Sequence, residues 1–270
     1  MSDFLKEMAE SSAARAALAG SFTDADFDKP VVPLTPGAFG VIAEIKRRSP
    51  AEGQLSPGGD SHLWGGDSHL SHLSSRARAY AAGGAAAISV LTEPSRFDGE
   101  LVHLETVAAA LPETPVMRKD FLVDPVQILE ARKAGASGVL LIATILNDEE
   151  LRAMLDCARE HGMFVLLESF DEEDLWRSTR FLGGAGQLLI GVNTRNLRTL
   201  EVDADRLQNL APALPDAACV AESGLHSPED AACVAGWGYS MALVGTALMR
   251  SEDPTALVAA MTDAGAAACS

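Results

Sequence analysis

The chain has 270 residues, 47% of them hydrophobic, with a mean hydropathy near zero; one large core can be buried, and a barrel of roughly 250 residues would use nearly all of it. Lysine and arginine total 21 against 38 aspartates and glutamates, a formal charge of −17, which argues against nucleic acid as a partner, since phosphate backbones are held by basic clusters. No apolar run approaches the roughly 18 residues needed to cross a bilayer, Met1 to Gly20 reads as amphipathic and acidic rather than as a leader, and Cys157, Cys219, Cys233 and Cys269 include no close pair, so a cytoplasmic, membrane-free protein with reduced, mostly buried thiols is expected.

In chain order, residues 1–35 read as an N-terminal extension, one helix and a Pro-rich connector packing on the barrel. Short apolar runs then start near Val41, Ala86, Pro115, Gly138, Phe164, Leu188, Cys219 and Met241. Between them lie helical segments with recognisable starts: Asp124-Pro125, Asn147-Asp148, Asp171 and Ser227-Pro228. Strands alternating with single helices imply parallel βα units, and eight units imply a closed (β/α)8 TIM barrel in one domain spanning 1–270. The interval from Val41 to Ala86 is the long one. Its excess is a low-complexity insertion, residues 54–75, in which GGDSHL occurs at Gly58–Leu63 and again at Gly65–Leu70. Asp60, His62, Asp67, His69 and His72 there suggest a metal site, but glycine pairs and a seven-residue period supply no fixed geometry, so a flexible loop born of duplication is expected and no metal is assigned.

Polar, ionisable residues recur where the apolar runs end. Glu44 and Lys46 follow the first, Lys119 the third, Glu168 the fifth, Asn193 and Arg195 the sixth, and Glu222 the seventh. In such a barrel those strand ends converge on one site. A structural carboxylate paired to a lysine is the commoner fate of any one of these acids, but a whole ring of charges is not explained that way. ESGL (Glu222–Leu225) and VGTAL (Val244–Leu248) read as phosphate holders, in which backbone N–H groups approach phosphate oxygens and a short helix behind each would add its positive end. Lys119, with Phe121, Leu140 and Leu141 as apolar walls, is expected to have a lowered pKa and to donate a proton, and Glu168 to take one back. An acid and a base beside a phosphate site, without a metal cluster or a GxGxxG, suggest a cofactor-free rearrangement or elimination on a sugar phosphate.

The stretches IAEIKRRSP (Ile42–Pro50), YAAGGAAAISVLTEPSRFDG (Tyr80–Gly99), PVMRKDFLVDPVQILEARKAGASGVLLIATIL (Pro115–Leu146), IGVNTRNLRTLEVD (Ile190–Asp203) and VAESGLHSPED followed by ALVGTALMR together resemble the indole-3-glycerol phosphate synthase family. The resemblance covers most of the chain from about residue 40 to 255. It implies ring closure, decarboxylation and dehydration of 1-(2-carboxyphenylamino)-1-deoxyribulose 5-phosphate in tryptophan biosynthesis, with no cofactor, by a monomer that could associate with neighbouring enzymes of the pathway. By motif position the resemblance makes Lys119 the general acid and Glu168 the base, has Lys46 contact the substrate's charged groups and polarise the reacting region with Glu44 hydrogen-bonded beside it, and has Glu222 orient Lys119 or a substrate hydroxyl. Asn193 addresses the sugar hydroxyls, Ser49 and Arg195 the substrate's carboxylate or phosphate. Ser223, Gly224, Gly245 and Thr246 form the phosphate cradle, and Phe97, Phe121, Leu140 and the N-terminal helix hold the aromatic ring. The chain departs from the family at Ser169-Phe170 after the base, at Thr194 within NTRN, and in the loop after Pro50. A noncatalytic phosphate-binding or regulatory barrel is the alternative; a phosphoribosylanthranilate isomerase is disfavoured, because no cysteine follows the first strand.

Overall fold

Strict alternation of side chains along each strand sorts this molecule into an inside and an outside. The computed structural model describes residues 2–35, 37–50, 53–55, 67–184, 186–195, 201–203 and 205–269, and of residues 67 and 68 the backbone alone. Among these, eight parallel strands form the barrel: β1 (Gly40–Ile45), β2 (Ala87–Leu91), β3 (Val116–Lys119), β4 (Gly138–Ile142), β5 (Phe164–Ser169), β6 (Leu188–Asn193), β7 (Cys219–Glu222) and β8 (Met241–Val244). Sequence neighbours pair throughout, and β1 also pairs with β8, Val41 opposite Ala242, so the sheet closes. The (β/α)8 barrel is as expected, with strand starts within one residue of those read from the apolar runs.

Inward positions low in the barrel, among them Ile42, Met117, Leu140, Leu166, Leu189 and Val220, pack into one apolar plug. Outward positions such as Val41, Ile88, Val139, Leu141, Val165 and Ile190 belong to a second core under the helices. Leu141 therefore faces the helices; it is not the pocket wall expected of it, because strand periodicity gives that face to Leu140.

The outer helices are α2 (Asp67–Ala82), α4 (Leu101–Ala110), α5 (Pro125–Ala134), α6 (Asp148–Glu160), α7 (Glu172–Thr179), α8 (Arg206–Leu210), α9 (Pro228–Gly236) and α11 (Pro254–Ala268), with single turns α3 (Pro94–Phe97) and α10 (Thr246–Arg250) between. Their starts are chemical. Asp124, Asn147, Asp171 and Ser227 each accept a backbone N–H of the first turn, satisfying donors that have no partner within the helix. The second GGDSHL copy departs from expectation: from Asp67 onward it is helical, and His69, Leu73, Ala77 and Tyr80 are buried at helical spacing. The His69 ring meets that of His103 edge-on at 4.9 Å. Asp60 and His62 of the considered metal set lie outside the described residues. The thiols also differ from expectation, since Cys219 is buried but Cys233 and Cys269 are exposed.

Helix α1 (Asp3–Ala16) lies over the carboxyl ends of the strands. Ser2 caps it, and Leu5, Met8, Ser12 and Ala16 form its buried stripe. Leu5 and Met8 join the apolar set that includes Phe121, which makes this helix part of the barrel's mouth.

Candidate active site

Continuing the alternation upward carries each strand from apolar plug to polar rim. Glu44 follows Ile42 inward, Lys119 follows Met117, Glu168 follows Leu166, Asn193 follows Gly191, and Glu222 follows Val220. They converge. The Lys119 Nζ lies 3.1 Å from Glu168 Oε2 and 3.1 Å from Glu222 Oε2, and Lys46 Nζ lies 2.8 Å from Glu44 Oε1.

Two glycines make this crowding possible. A methyl group on Gly191 would collide with Glu222 Oε1, and one on Gly245 would collide with Glu44 Oε1 and approach Lys46 Nζ. The bare backbone at these points gives the carboxylates their places.

Apart from Leu141, the residues marked from sequence as catalytic or binding line one cavity at this mouth: Glu44, Lys46, Ser49, Phe97, Lys119, Phe121, Leu140, Glu168, Asn193, Arg195, Glu222, Ser223, Gly224, Gly245 and Thr246. Its apolar wall is built around Phe121, whose ring meets Phe4 edge-on at 5.9 Å and Phe97 at 6.2 Å. Asn193 Oδ1 accepts from Arg195 N at 2.9 Å and from Ser223 Oγ at 2.8 Å, tying the β6 end to the β7 turn. Ser223 and Gly224 both take left-handed φ, 71° and 77°. That pair of conformations curls the turn, as in loops that present successive N–H groups to an anion. Behind β8 the short helix α10 starts as expected; behind β7 a turn leads instead to α9, which starts at Pro228.

Electrostatics overturns one expectation. Burial alone would lower the Lys119 pKa, but Glu222, Glu168 and Glu44 outweigh it and raise the pKa, so the ammonium is fully charged at neutral pH. Glu222 moves the other way from an ordinary acid: burial first, then the charge of Glu168, push it up to about 8 against the pull of Lys119. Burial and the second carboxylate beside it thus favour the protonated form of Glu222. Glu44 is also deprived of water, yet Lys46 and Lys119 hold its pKa below the usual value.

Sequence reasoning passed over several lining residues. Leu91, Ile142 and Leu243 were accessible from strand alternation, being the next inward positions on β2, β4 and β8. Phe4, Val202 and Asp120 carried no periodic signal. Among the described residues no group of three or more His, Cys, Asp or Glu is arranged to hold a metal ion, and no helix is long and apolar enough to cross a membrane.

Similar chains are numerous. A chain named indole-3-glycerol phosphate synthase from Nocardioides sp. is 44% identical over 242 residues, covering 88% of this chain and 86% of its own length. One of the same name from Methanopyrus kandleri is 44% identical over 228 residues, 83% of each chain. Among solved structures, 3-hexulose-6-phosphate synthase from Salmonella typhimurium superposes with a TM-score of 0.62 at 15% identity, covering 85% of this chain and all of its own, a likeness of fold alone. The model of the family described as indole-3-glycerol phosphate synthase matches residues 6–261, and the chain belongs to that family.

Proposed function

We propose that the protein is an active indole-3-glycerol phosphate synthase, converting 1-(2-carboxyphenylamino)-1-deoxyribulose 5-phosphate to indole-3-glycerol phosphate, carbon dioxide and water. The observation that carries this reading is the Lys119 ammonium held between Glu168 and Glu222 at the floor of a cavity with an aromatic wall on one side and the Ser223-Gly224 and Gly245-Thr246 turns on the other.

The substrate's ring lies against Phe121 and Phe97, its phosphate at the two turns, and its carboxylate near Lys46 and Ser49. The ring carbon bearing the carboxylate attacks the ketose carbonyl, and Lys119 gives its proton to the oxygen as that bond forms. A raised pKa does not hinder this, because the incipient alkoxide is a stronger base than an amine. Carbon dioxide leaves with its bonding pair going back into the ring. Lys119, reprotonated by Glu222 or solvent, then protonates the departing hydroxyl, and Glu168 takes a proton from the adjacent methylene to complete the indole. Arg195 and Asn193 hold the phosphate and sugar hydroxyls during these steps. On this reading the protein works in the cytosol as a monomer.

The test is formation of fluorescent indoleglycerol phosphate from the purified protein and this substrate. Lys119→Met, which keeps the side chain's bulk but has no proton to give, should lower kcat by about 10²- to 10⁴-fold. A wild type that binds the substrate without product would identify a noncatalytic barrel, and a Met variant at wild-type rate would remove Lys119 from its role.

A further inference from the structure

Arg15, on a helix that contributes nothing to the barrel wall, reaches to the residue next to the proposed acid. Its Nη1 and Nη2 fork onto Asp120 at 2.7 and 2.8 Å. The Asp120 side chain is fully buried in a cage of donors: Oδ2 also accepts from Thr92 Oγ1 at 2.7 Å and Arg118 Nη2 at 3.2 Å, and Oδ1 from Phe121 N at 2.8 Å. Thr92 N in turn donates to the Lys119 carbonyl. The carboxylate thus fixes the backbone on both sides of one peptide, with Lys119 before it and Phe121 after it. One turn earlier on the same face of α1, Ser12 Oγ accepts from Gln127 Nε2 at 2.8 Å, and Gln127 Oε1 receives Val123 N and Asp124 N. Two adjacent turns of α1 therefore grip the whole segment from Asp120 to Gln127.

Stability alone does not account for this arrangement. Leu5, Met8 and Ala16 already bury the helix by apolar contact, whereas a buried ion pair adds little net stability because desolvation offsets attraction. Arg15 even leaves its buried Nε without a hydrogen bond. What a bidentate fork does supply is fixed direction.

We infer that Arg15 is a positioning residue, which sets the proton donor Lys119 and the ring wall Phe121 through Asp120. This rests on the synthase reading for its kinetic consequence. Arg15→Met should lower kcat by about tenfold to a hundredfold, more than it changes KM, because the acid is displaced from the carbonyl oxygen; Arg15→Lys, which keeps charge but loses the fork, should recover part of the loss. The control is Glu7→Gln, which removes the charge from another tether of α1, the pair that Glu7 Oε1 and Oε2 form with Arg96 Nη2 at 2.7 and 2.9 Å, without touching Asp120. It should leave kcat within about twofold of wild type. In ¹⁵N-lysine-labelled protein the Lys119 Nζ resonance should move in Arg15→Met and stay in Glu7→Gln. Equal kinetic losses in the two variants, or an unmoved Lys119 resonance in folded Arg15→Met, would reduce Arg15 to an anchor. The resonance decides the matter even if the wild type makes no product, the result that defeats the synthase reading separately.

Discussion

At the scale of single residues, the site stores its protons where charges are packed closest. Glu222, raised to about 8 in the fold against 4.5 ordinarily, binds a proton that the unfolded chain has already released, so its contribution to stability is present below about pH 4.5 and is lost as pH rises through about 8. Glu222→Gln cannot titrate and should lack this decline. Urea midpoints of the two proteins, compared at roughly pH 5 and pH 9, should therefore draw together or cross in favour of the variant at the alkaline end; parallel profiles would mean that Glu222 ionises normally. Neither Glu222's retained proton nor the raised pKa of Lys119 was legible in the sequence. The apolar neighbours of Lys119 are close along the chain and suggested a lowered value. The carboxylates that reverse the sign come from β5 and β7, and only the closed barrel brings them within 3.1 Å. Asp120 stood in the RKDF motif and was passed over for the same reason: its partner Arg15 is 105 residues away.

At the scale of elements, what could be read was what local chemistry dictates. Strand runs such as FVLLES and LLIGVN carry Glu168 and Asn193 at their last inward position, because inward alternation places an apolar side chain below and a polar one above. Helix starts were equally local. Asn147 Oδ1 accepts from Glu149 N and Glu150 N, and Glu150 Oε2 accepts from Asn147 N, a reciprocal cap visible as N-D-E-E in sequence. Asn147→Ala should destabilise the protein by about 1 kcal/mol, measured by chemical denaturation, with kcat unchanged, since α6 lies outside the cavity. The start of α2 was hidden because serine, histidine and glycine pairs carry weak helical propensity; burial of His69, Leu73, Ala77 and Tyr80 against the barrel decides the matter there. The single turn α3 falls below the length at which periodicity speaks, whereas α10 was legible only from the glycine turn before it.

At the scale of the whole molecule, a chain with a formal charge of −17 forms a cavity where Glu44, Glu168 and Glu222 are set against Lys46, Lys119 and Arg195. With Glu222 protonated the cavity is the cationic spot on an acidic body, so an anionic substrate is drawn in at short range only. The seam between β1 and β8 bears on how this site comes into being. Lys119 and Glu168 can meet once the middle strands pair, but Glu44 finds its place over Gly245, about 200 residues later in the chain, only when the ring shuts, and such distant pairings form slowly. Catalysis thereby reports closure rather than collapse. On dilution from urea, most of the far-UV circular dichroism should return first, and indoleglycerol phosphate formation only with the slowest structural phase; activity that runs ahead of that phase would mean the half-closed barrel already works.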